Sequence, residues 1–176
     1  MKNTAELVQS KIRDIQDFPK AGILFKDITT AMKDADTLSL ITDWFYEQLE
    51  GRGIDYVIGI EARGFFFAPL AAYKLGAGFI PVRKPGKLPA AVESESYALE
   101  YGTDSLEIHK DAIEPGKRVA IIDDVLATGG TAAAVEKLVQ RMGAEVALNL
   151  FLIELAFLDG RGKLSNNAET ISLIKY

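Results

Sequence analysis

The chain has no cysteine and only one histidine, His109, among its 176 residues. The absence of cysteine excludes disulfide bonds and cysteine-ligated zinc, and it fits a cytoplasmic protein. A lone histidine provides no histidine cluster for a metal, so we assign His109 no chemistry. The chain also lacks an excess of positive charge. Its formal net charge of −5 argues against a general nucleic-acid-binding function, which requires a basic face.

Long apolar runs are missing as well. No stretch is long enough to span a bilayer, and the first residues contain no apolar run typical of a secretory signal peptide. The composition is ordinary for a soluble globular protein, with 48% hydrophobic and 26% charged residues. We therefore predict one domain over residues 1–176, long enough to bury a core, with no membrane segment.

Apolar residues at helical and at strand spacings alternate along the chain. The predicted helices cover residues 4–17, 36–50 (with Asp36 as N-cap), 65–75 and 132–142. The predicted buried strands cover residues 56–60, 78–82, 118–123 and 147–155. This alternation indicates an α/β fold in which a central, mostly parallel twisted sheet is flanked by helices. Ligands of such folds bind at the carboxyl ends of the strands.

The most informative segment covers residues 119–131. Four apolar residues are followed by two adjacent acids, Asp123 and Asp124, and then by a small-residue loop that leads into a helix. The loop consists of Ala127, Thr128, Gly129, Gly130 and Thr131. Glycine allows a tight turn and a close ligand approach, and the first amides of a helix attract phosphate.

Two carboxylates beside a phosphate site make sense if the ligand carries hydroxyl groups near its phosphate. A ribose 5-phosphate has this arrangement, because its 2- and 3-hydroxyls can donate to Asp123 and Asp124. The segment is neither a Walker loop nor a dinucleotide-binding G-x-G-x-x-G motif. The alternative interpretation is a tight strand-to-helix turn with a threonine N-cap.

A second cluster follows the predicted strand 56–60. Its residues are Glu61, Ala62, Arg63 and Gly64. A guanidinium group and turn amides at one point suit an anion such as pyrophosphate, although a surface arginine in an ordinary turn would show the same pattern. A basic turn after strand 78–82 contains Arg83, Lys84 and Lys87, which either contribute to the same anion site or are simply solvated.

Residues 84–110 interrupt the alternation of strands and helices. Two short strands, 97–101 and 105–108, predict a hairpin inserted beside the sheet. A mostly exposed hairpin of this kind is a natural mobile lid.

Residues 123–131 resemble the fingerprint of the phosphoribosyltransferases, which bind 5-phosphoribosyl 1-pyrophosphate. Residues 18–29, 82–89 and 97–102 resemble, in order, the amino-terminal signature, the next block and the flexible loop of the adenine phosphoribosyltransferases. The four motifs cover almost the whole chain. Departures are small: Ala21 stands where this family usually has proline, and Lys26 where some members have arginine.

The resemblance implies a type I phosphoribosyltransferase fold, with a base-binding hood over about residues 1–33 and a flexible lid over about residues 84–110. It implies a glycosyltransferase that converts adenine and 5-phosphoribosyl 1-pyrophosphate to AMP and pyrophosphate in purine salvage. It also implies a homodimer, and a magnesium ion held through substrate and water rather than directly by the protein. An unusual cis peptide bond is expected near Glu61 and Ala62.

The resemblance also assigns roles to individual residues. Glu100, on the lid beside Tyr101, is the expected acid–base residue for the purine, unless it is a solvent-facing strand residue. The expected adenine contacts are Leu24, Phe25 and Lys26, where core packing is the alternative for Phe25. The ribose 5-phosphate contacts are Asp123, Asp124, Ala127, Thr128, Gly129, Gly130 and Thr131, and the pyrophosphate contacts are Glu61, Ala62, Arg63, Gly64, Arg83, Lys84 and Lys87.

Two other functions stay open at this stage. One is a phosphoribosyltransferase for a different purine base, which the residues around Leu24 argue against. The other is a non-catalytic regulator that senses 5-phosphoribosyl 1-pyrophosphate and binds nucleic acid, for which the chain shows no obvious basic face.

Overall fold

A five-stranded parallel sheet forms the centre of the fold in the computed structural model, which describes residues 3–98 and 102–176. The strands are β1 (Arg13–Gln16), β2 (Leu24–Asp27), β3 (Tyr56–Ile60), β4 (Gly78–Val82), β5 (Val92–Ala98), β6 (Thr103–His109), β7 (Arg118–Leu126), β8 (Glu145–Glu154) and β9 (Glu169–Lys175). The helices are α1 (Thr4–Gln9), α2 (Thr29–Met32), α3 (Ala35–Leu49), α4 (Ala68–Leu75) and α5 (Gly130–Arg141). The central sheet has the order β4-β3-β7-β8-β9, and every adjacent pair in it is parallel. The α/β class predicted from the sequence is therefore confirmed.

Strand β7 occupies the middle of the sheet and is buried on both faces. The residues from Val119 to Ile122 are fully buried, and β7 pairs with β3 on one side and β8 on the other. A strand in this position has no solvated face, so it reads as a continuous apolar run. Each fully buried valine or isoleucine contributes about 1.5–3 kcal/mol of hydrophobic stabilisation.

Helix α5 packs its apolar stripe against this sheet. Val135, Leu138 and Val139 are fully buried, and Met142 packs against the same core cluster at the end of the helix. These are the positions predicted from spacings of three, four and seven residues. Helix α4 starts at Ala68, three residues later than predicted, because a short 3-10 helix (Arg63–Phe66) precedes it and Pro69 stands in its first turn.

The β5–β6 hairpin differs from the prediction. Both strands are longer than expected, and Leu106 and Ile108 of β6 are fully buried in the core cluster. Glu95 of β5 also forms ion pairs with Lys137 and Arg141 of α5, at 3.2 and 2.9 Å. The prediction of a mostly exposed hairpin was therefore wrong, because one face of β6 supplies core residues.

The chain divides into two compact units, Met1–Trp44 and Phe45–Tyr176, with the boundary inside α3. In the first unit, the predicted helix over residues 4–17 ends at Gln9 and is followed by β1, which pairs antiparallel with β2. The spacing of Ile12 and Ile15 suggested a helix, but strand pairing with residues 24–27 decides the structure there.

One further prediction needs correction, and one strand was missed. The N-cap of α3 is Asp34 and not Asp36, since the Asp34 carboxylate accepts hydrogen bonds from the Thr37 amide at 3.0 Å and the Thr37 hydroxyl at 2.7 Å. Strand β9 was not predicted. In the described ranges, no helix has both the length and the apolar character required to cross a membrane.

Candidate active site

The carboxyl ends of β3, β4 and β7 surround an open cleft of about 540 Å³. Eight of its lining residues were predicted from the sequence: Glu61, Ala62, Arg63, Lys84, Asp123, Asp124, Ala127 and Thr131. Two further lining residues, Tyr97 and Val125, were not predicted. Sequence motifs that lie up to 70 positions apart therefore meet at one edge of the sheet.

The acidic pair is partly buried in the wall of this cleft. Asp124 is 4% exposed, and its Oδ2 atom lies 2.5 Å from Nε of Arg63. Among the described residues, no donor makes a well-aligned hydrogen bond to that buried oxygen. The Arg63 guanidinium therefore compensates the charge of this buried oxygen.

Burial raises the pKa of both acids. Removal from water raises the pKa of Asp123 well above its usual value, and the neighbouring Asp124 charge adds to this effect. Burial also raises the pKa of Asp124, although the Arg63 guanidinium opposes the change. Hydrogen bonds from ligand hydroxyl groups would therefore stabilise the charged form of the pair, because they replace the hydration lost on burial.

The loop after β7 forms a smaller cavity of about 60 Å³ that adjoins the cleft. Its lining includes Ala127, Thr128, Gly129 and Thr131, as predicted, together with Phe151 of β8. Gly129 has a φ of 77° and is the N-cap of α5, so no side chain accepts from the first helix amides at that position. The alternative interpretation of a threonine N-cap was wrong, and the dipole and free first-turn amides favour an anion.

The turn after β3 packs closely onto β7. A Cβ atom at Gly64 would lie 2.7 Å from the carbonyl oxygen of Ile122, so the close approach needs glycine here. The Glu61–Ala62 peptide bond is cis, as the resemblance implied. Gly64 therefore supports the turn that holds Arg63 in the cleft wall, without lining the cleft itself.

One acid, Glu61, contacts all three basic residues of the turn after β4. Glu61 forms an ion pair with Lys87, accepts a hydrogen bond from the Lys84 amide at 3.0 Å, and lies 3.3 Å from Nε of Arg83. Burial alone would raise the pKa of Glu61, but these donors outweigh it and hold the pKa at about 2. Glu61 is thus a structural anchor for the turn.

Lys84 has a second partner that the sequence did not suggest. Its ammonium group forms an ion pair with Asp104 of β6 and lies 3.2 Å from the Tyr97 hydroxyl. Burial would lower the pKa of Lys84, yet the hydrogen bonds from it to Asp104 and Tyr97 raise the pKa overall. Tyr97 and Asp104 face each other across the hairpin, which the strand register fixes and sequence spacing alone does not.

The remaining predicted residues have different positions. Arg83 and Lys87 border the turn without lining the cleft, and Gly130 lies at the start of α5 next to Tyr97. Glu100 and Tyr101 lie outside the described residues. Leu24, Phe25 and Lys26 form part of β2 in the first unit, where Phe25 contacts Phe18 edge to face and Lys26 pairs with Asp14 at 2.8 Å.

These features define a class of protein. Residues 29–163 match the family model described as a phosphoribosyl transferase domain, and the chain belongs to this phosphoribosyltransferase family. Adenine phosphoribosyltransferases are among its relatives within the family. The one from Alkaliphilus metalliredigens is 56% identical over 96% of this chain and 99% of its own length.

Solved structures give the same result. The crystal structure of adenine phosphoribosyltransferase from Thermoanaerobacter pseudethanolicus has a TM-score of 0.94 and 55% identity, covering 98% of this chain and 99% of that chain. The enzyme from Saccharomyces cerevisiae, crystallised with an imino-altritol bisphosphate and adenine, has a TM-score of 0.92 and 41% identity, covering 97% and 98% of the two chains.

Proposed function

We propose that this chain transfers the 5-phosphoribosyl group of 5-phosphoribosyl 1-pyrophosphate to adenine, giving AMP and pyrophosphate in purine salvage. The observation that carries this proposal is the composition of the cleft. One surface joins a carboxylate pair (Asp123 and Asp124), a main-chain phosphate cradle and two cations (Arg63 and Lys84). A sugar with a diol, a phosphate and a pyrophosphate complements all three parts.

Adenine is the proposed base because the matched relatives are adenine phosphoribosyltransferases. The match covers nearly the whole length of those relatives. The yeast relative was crystallised with adenine. Leu24, Phe25 and Lys26 are the proposed contacts of the base. Main-chain groups of this strand can match the donor and acceptor pattern of adenine, and they would leave an oxo-purine poorly paired.

The proposed reaction is a displacement at the anomeric carbon with inversion, through an oxocarbenium-like transition state. Asp123 and Asp124 hold the ribose hydroxyls, and residues 127–131 hold the 5-phosphate. Arg63 and Lys84, with Arg83 and Lys87 beside them, stabilise the charge that develops on the departing pyrophosphate. Fixing the substrate at both ends lowers the entropic part of the barrier.

Glu100 is the proposed acid–base residue. In the forward direction it would accept a proton from the imidazole edge of adenine, and in reverse it would return that proton to the leaving base. The matching Tyr97–Gly102 motif supports this role, as does the position of β5 and β6 beside the cleft.

A magnesium ion fits the donor chemistry of the site. Asp123 and Asp124 offer oxygen atoms at the cleft wall, and the described residues contain no group of three or more acidic, histidine or cysteine side chains that could enclose a metal. Magnesium prefers oxygen ligands and usually keeps water and substrate oxygens in its shell. When bound, it would neutralise part of the pyrophosphate charge. A homodimer and a cytoplasmic location stay predictions.

Mass detection of AMP tests the proposal. The purified chain is incubated with adenine, 5-phosphoribosyl 1-pyrophosphate and magnesium, with hypoxanthine and guanine in parallel reactions. We expect AMP and pyrophosphate in equal amounts and little product from the other bases. A product from hypoxanthine or guanine at a higher rate would reject adenine as the substrate, and no product from any base would reject the transfer reaction.

A further inference from the structure

The segment after β8 contacts the loop of residues 127–131 through its backbone. This loop is called the phosphate loop because it is the proposed site of the 5-phosphate. A Cβ atom built on Gly160 would lie 2.0 Å from the Ala127 carbonyl oxygen and 2.8 Å from the Gly129 nitrogen. A Cβ atom on Gly129 would lie 2.1 Å from the Gly160 carbonyl oxygen. The two backbones are therefore in direct contact, and neither position has room for a side chain. Gly160 is buried and begins the 3-10 helix Gly160–Lys163.

Arg161, the next residue, fixes this segment to the sheet. Its Nε and Nη2 atoms donate to the two carboxylate oxygens of Glu154, at 3.0 and 2.6 Å, and its Nη1 donates to the Thr170 carbonyl at 2.6 Å. Glu154 ends β8 and is 6% exposed, and Thr170 belongs to β9. Such a two-pronged arginine–carboxylate pair restricts orientation as well as distance.

The far side of the segment is fixed to the helix that follows the loop. The Ser165 amide donates to Glu136 of α5 at 2.8 Å. Leu164 packs in a small apolar cluster with Leu126 and Ala132, which lie on either side of the phosphate loop. Residues 160–165 thus form an outer wall of the loop, held at one end by the sheet and at the other by α5.

We infer that Arg161 is a positioning residue for phosphate binding: its pair with Glu154 holds the Gly160 backbone against residues 127–129 and so sets the direction of the loop amides. The inference rests on the proposed function, because it assigns the 5-phosphate to this loop. Amide donors stabilise an anion only when they point at it, so a loop that relaxes away from Gly160 loses part of that stabilisation.

Binding of ribose 5-phosphate, measured by isothermal titration calorimetry well below the thermal midpoint of each variant, tests the inference. We expect R161M to raise the Kd for ribose 5-phosphate about ten-fold or more. R161K should lie between R161M and the unaltered chain, because lysine keeps the charge but cannot form both prongs. In turnover assays the KM for 5-phosphoribosyl 1-pyrophosphate should rise while the KM for adenine is unchanged.

Arg118 provides the matched control. It is exposed to a similar extent (42% against 40%) and pairs with Glu145 at 2.6 Å, where β7 and β8 begin, at the end of β8 opposite to Glu154. R118M should leave the Kd for ribose 5-phosphate unchanged even if it lowers the thermal midpoint. Equal effects of R118M and R161M on the Kd would show a general structural effect and overturn the inference.

A glycine pair gives an independent check. G160A introduces a methyl group into the contact with Ala127, whereas G162A in the same short helix meets only the Asp159 carboxylate, at 3.3 Å. We expect G160A alone to weaken ribose 5-phosphate binding. If the unaltered chain does not bind ribose 5-phosphate, the proposed function fails. If it binds but R161M and G160A bind equally well, only the role of Arg161 is rejected.

Discussion

Asp124 combines a structural cost with a proposed binding role. Its carboxylate is buried, its pKa is raised by that burial, and Arg63 compensates the charge only in part. A group with a raised native pKa makes the folded state less stable at neutral pH than the same group exposed to water. Such a cost is typical of binding sites, where the compensating interaction comes from the ligand.

We therefore predict that Asp124→Asn weakens ribose 5-phosphate binding by about ten- to one-hundred-fold, the worth of a charge-assisted hydrogen bond. The thermal midpoint should change by no more than a few degrees, because asparagine removes the cost of burying a charge. Calorimetric titration and thermal unfolding measure the two quantities. A large fall in the midpoint with unchanged affinity would contradict the binding role.

At the scale of elements, the β5–β6 hairpin supplies a carboxylate that forms an ion pair with Lys84, one of the cations proposed to bind pyrophosphate. Asp104 pairs with Lys84, and this ion pair lowers the pKa of Asp104 while raising that of Lys84. Pyrophosphate must therefore compete with an internal anion for the lysine. The hairpin thus tunes the proposed cation site through Asp104.

Asp104→Asn should strengthen pyrophosphate binding, with a several-fold decrease in Kd, because the competing charge is removed while Lys84 stays. Asp111→Asn is the control, since Asp111 is an exposed acid just beyond the hairpin and changes the net charge equally. Titration calorimetry with pyrophosphate measures both variants. The competition model is rejected if the two variants bind equally or if Asp104→Asn binds more weakly.

The same hairpin carries the proposed acid–base residue. Glu100→Ala should lower turnover by about 10²–10⁴-fold, the usual contribution of acid–base catalysis, with substrate affinity mostly retained. Glu93→Ala, near the start of β5 where Glu93 pairs with Lys110, is the control and should retain its turnover. Steady-state rates with saturating substrates measure the effect. Unchanged turnover in Glu100→Ala would remove the residue from the mechanism.

The elements also show how far the sequence determines the fold. Strands β3 and β4 have the predicted bounds, because each is a short apolar run bounded by turn residues. Strand β9 was missed, since its sequence E-T-I-S-L-I-K mixes polar and apolar residues at the edge of the sheet. Strand β1 was taken for a helix because its pairing with β2 is a contact between distant residues.

The site divides in the same way. Residues directly after strands, such as Asp123 and Arg63, could be predicted, because the ends of parallel strands meet at one edge. Tyr97 and Asp104 could not, since their position depends on the hairpin register, nor could Gly160, which approaches the phosphate loop from a separate segment. The local sequence pattern therefore predicts the residues that follow the strands, whereas residues brought to the site by tertiary contacts are found only in the structure.

At the scale of the whole molecule, two sets of acids respond to pH in opposite directions. Hydrogen bonds from Thr29 and Arg13 hold the pKa of Asp27 at about 2, and donors around Glu61 hold its pKa at about 2. A depressed native pKa stabilises the fold above the ordinary value, and this stabilisation is lost as pH falls toward the native pKa. Asp123 and Asp124, whose pKa values are raised, act in the opposite sense.

We therefore predict that the free energy of unfolding falls as pH decreases from about 4.5 to about 2, where Asp27 and Glu61 take up protons. Asp123→Asn should be more stable than the unaltered chain at pH 7, because it removes a charge that burial disfavours. That difference should disappear near pH 3, below the ordinary pKa of aspartate. Urea denaturation at these pH values measures it. A destabilised Asp123→Asn at pH 7 would contradict the prediction.

The glycine cap of α5 has a consequence for how this molecule tolerates change. In the proposed function, peptide groups of the loop bind the terminal anion of the sugar. Every amino acid has a peptide group, so replacement of side chains in the loop leaves these proposed donors in place. Inherited variation can then reshape the preference for the base while the sugar's anchor persists. Only alterations that bend the main chain would abolish it.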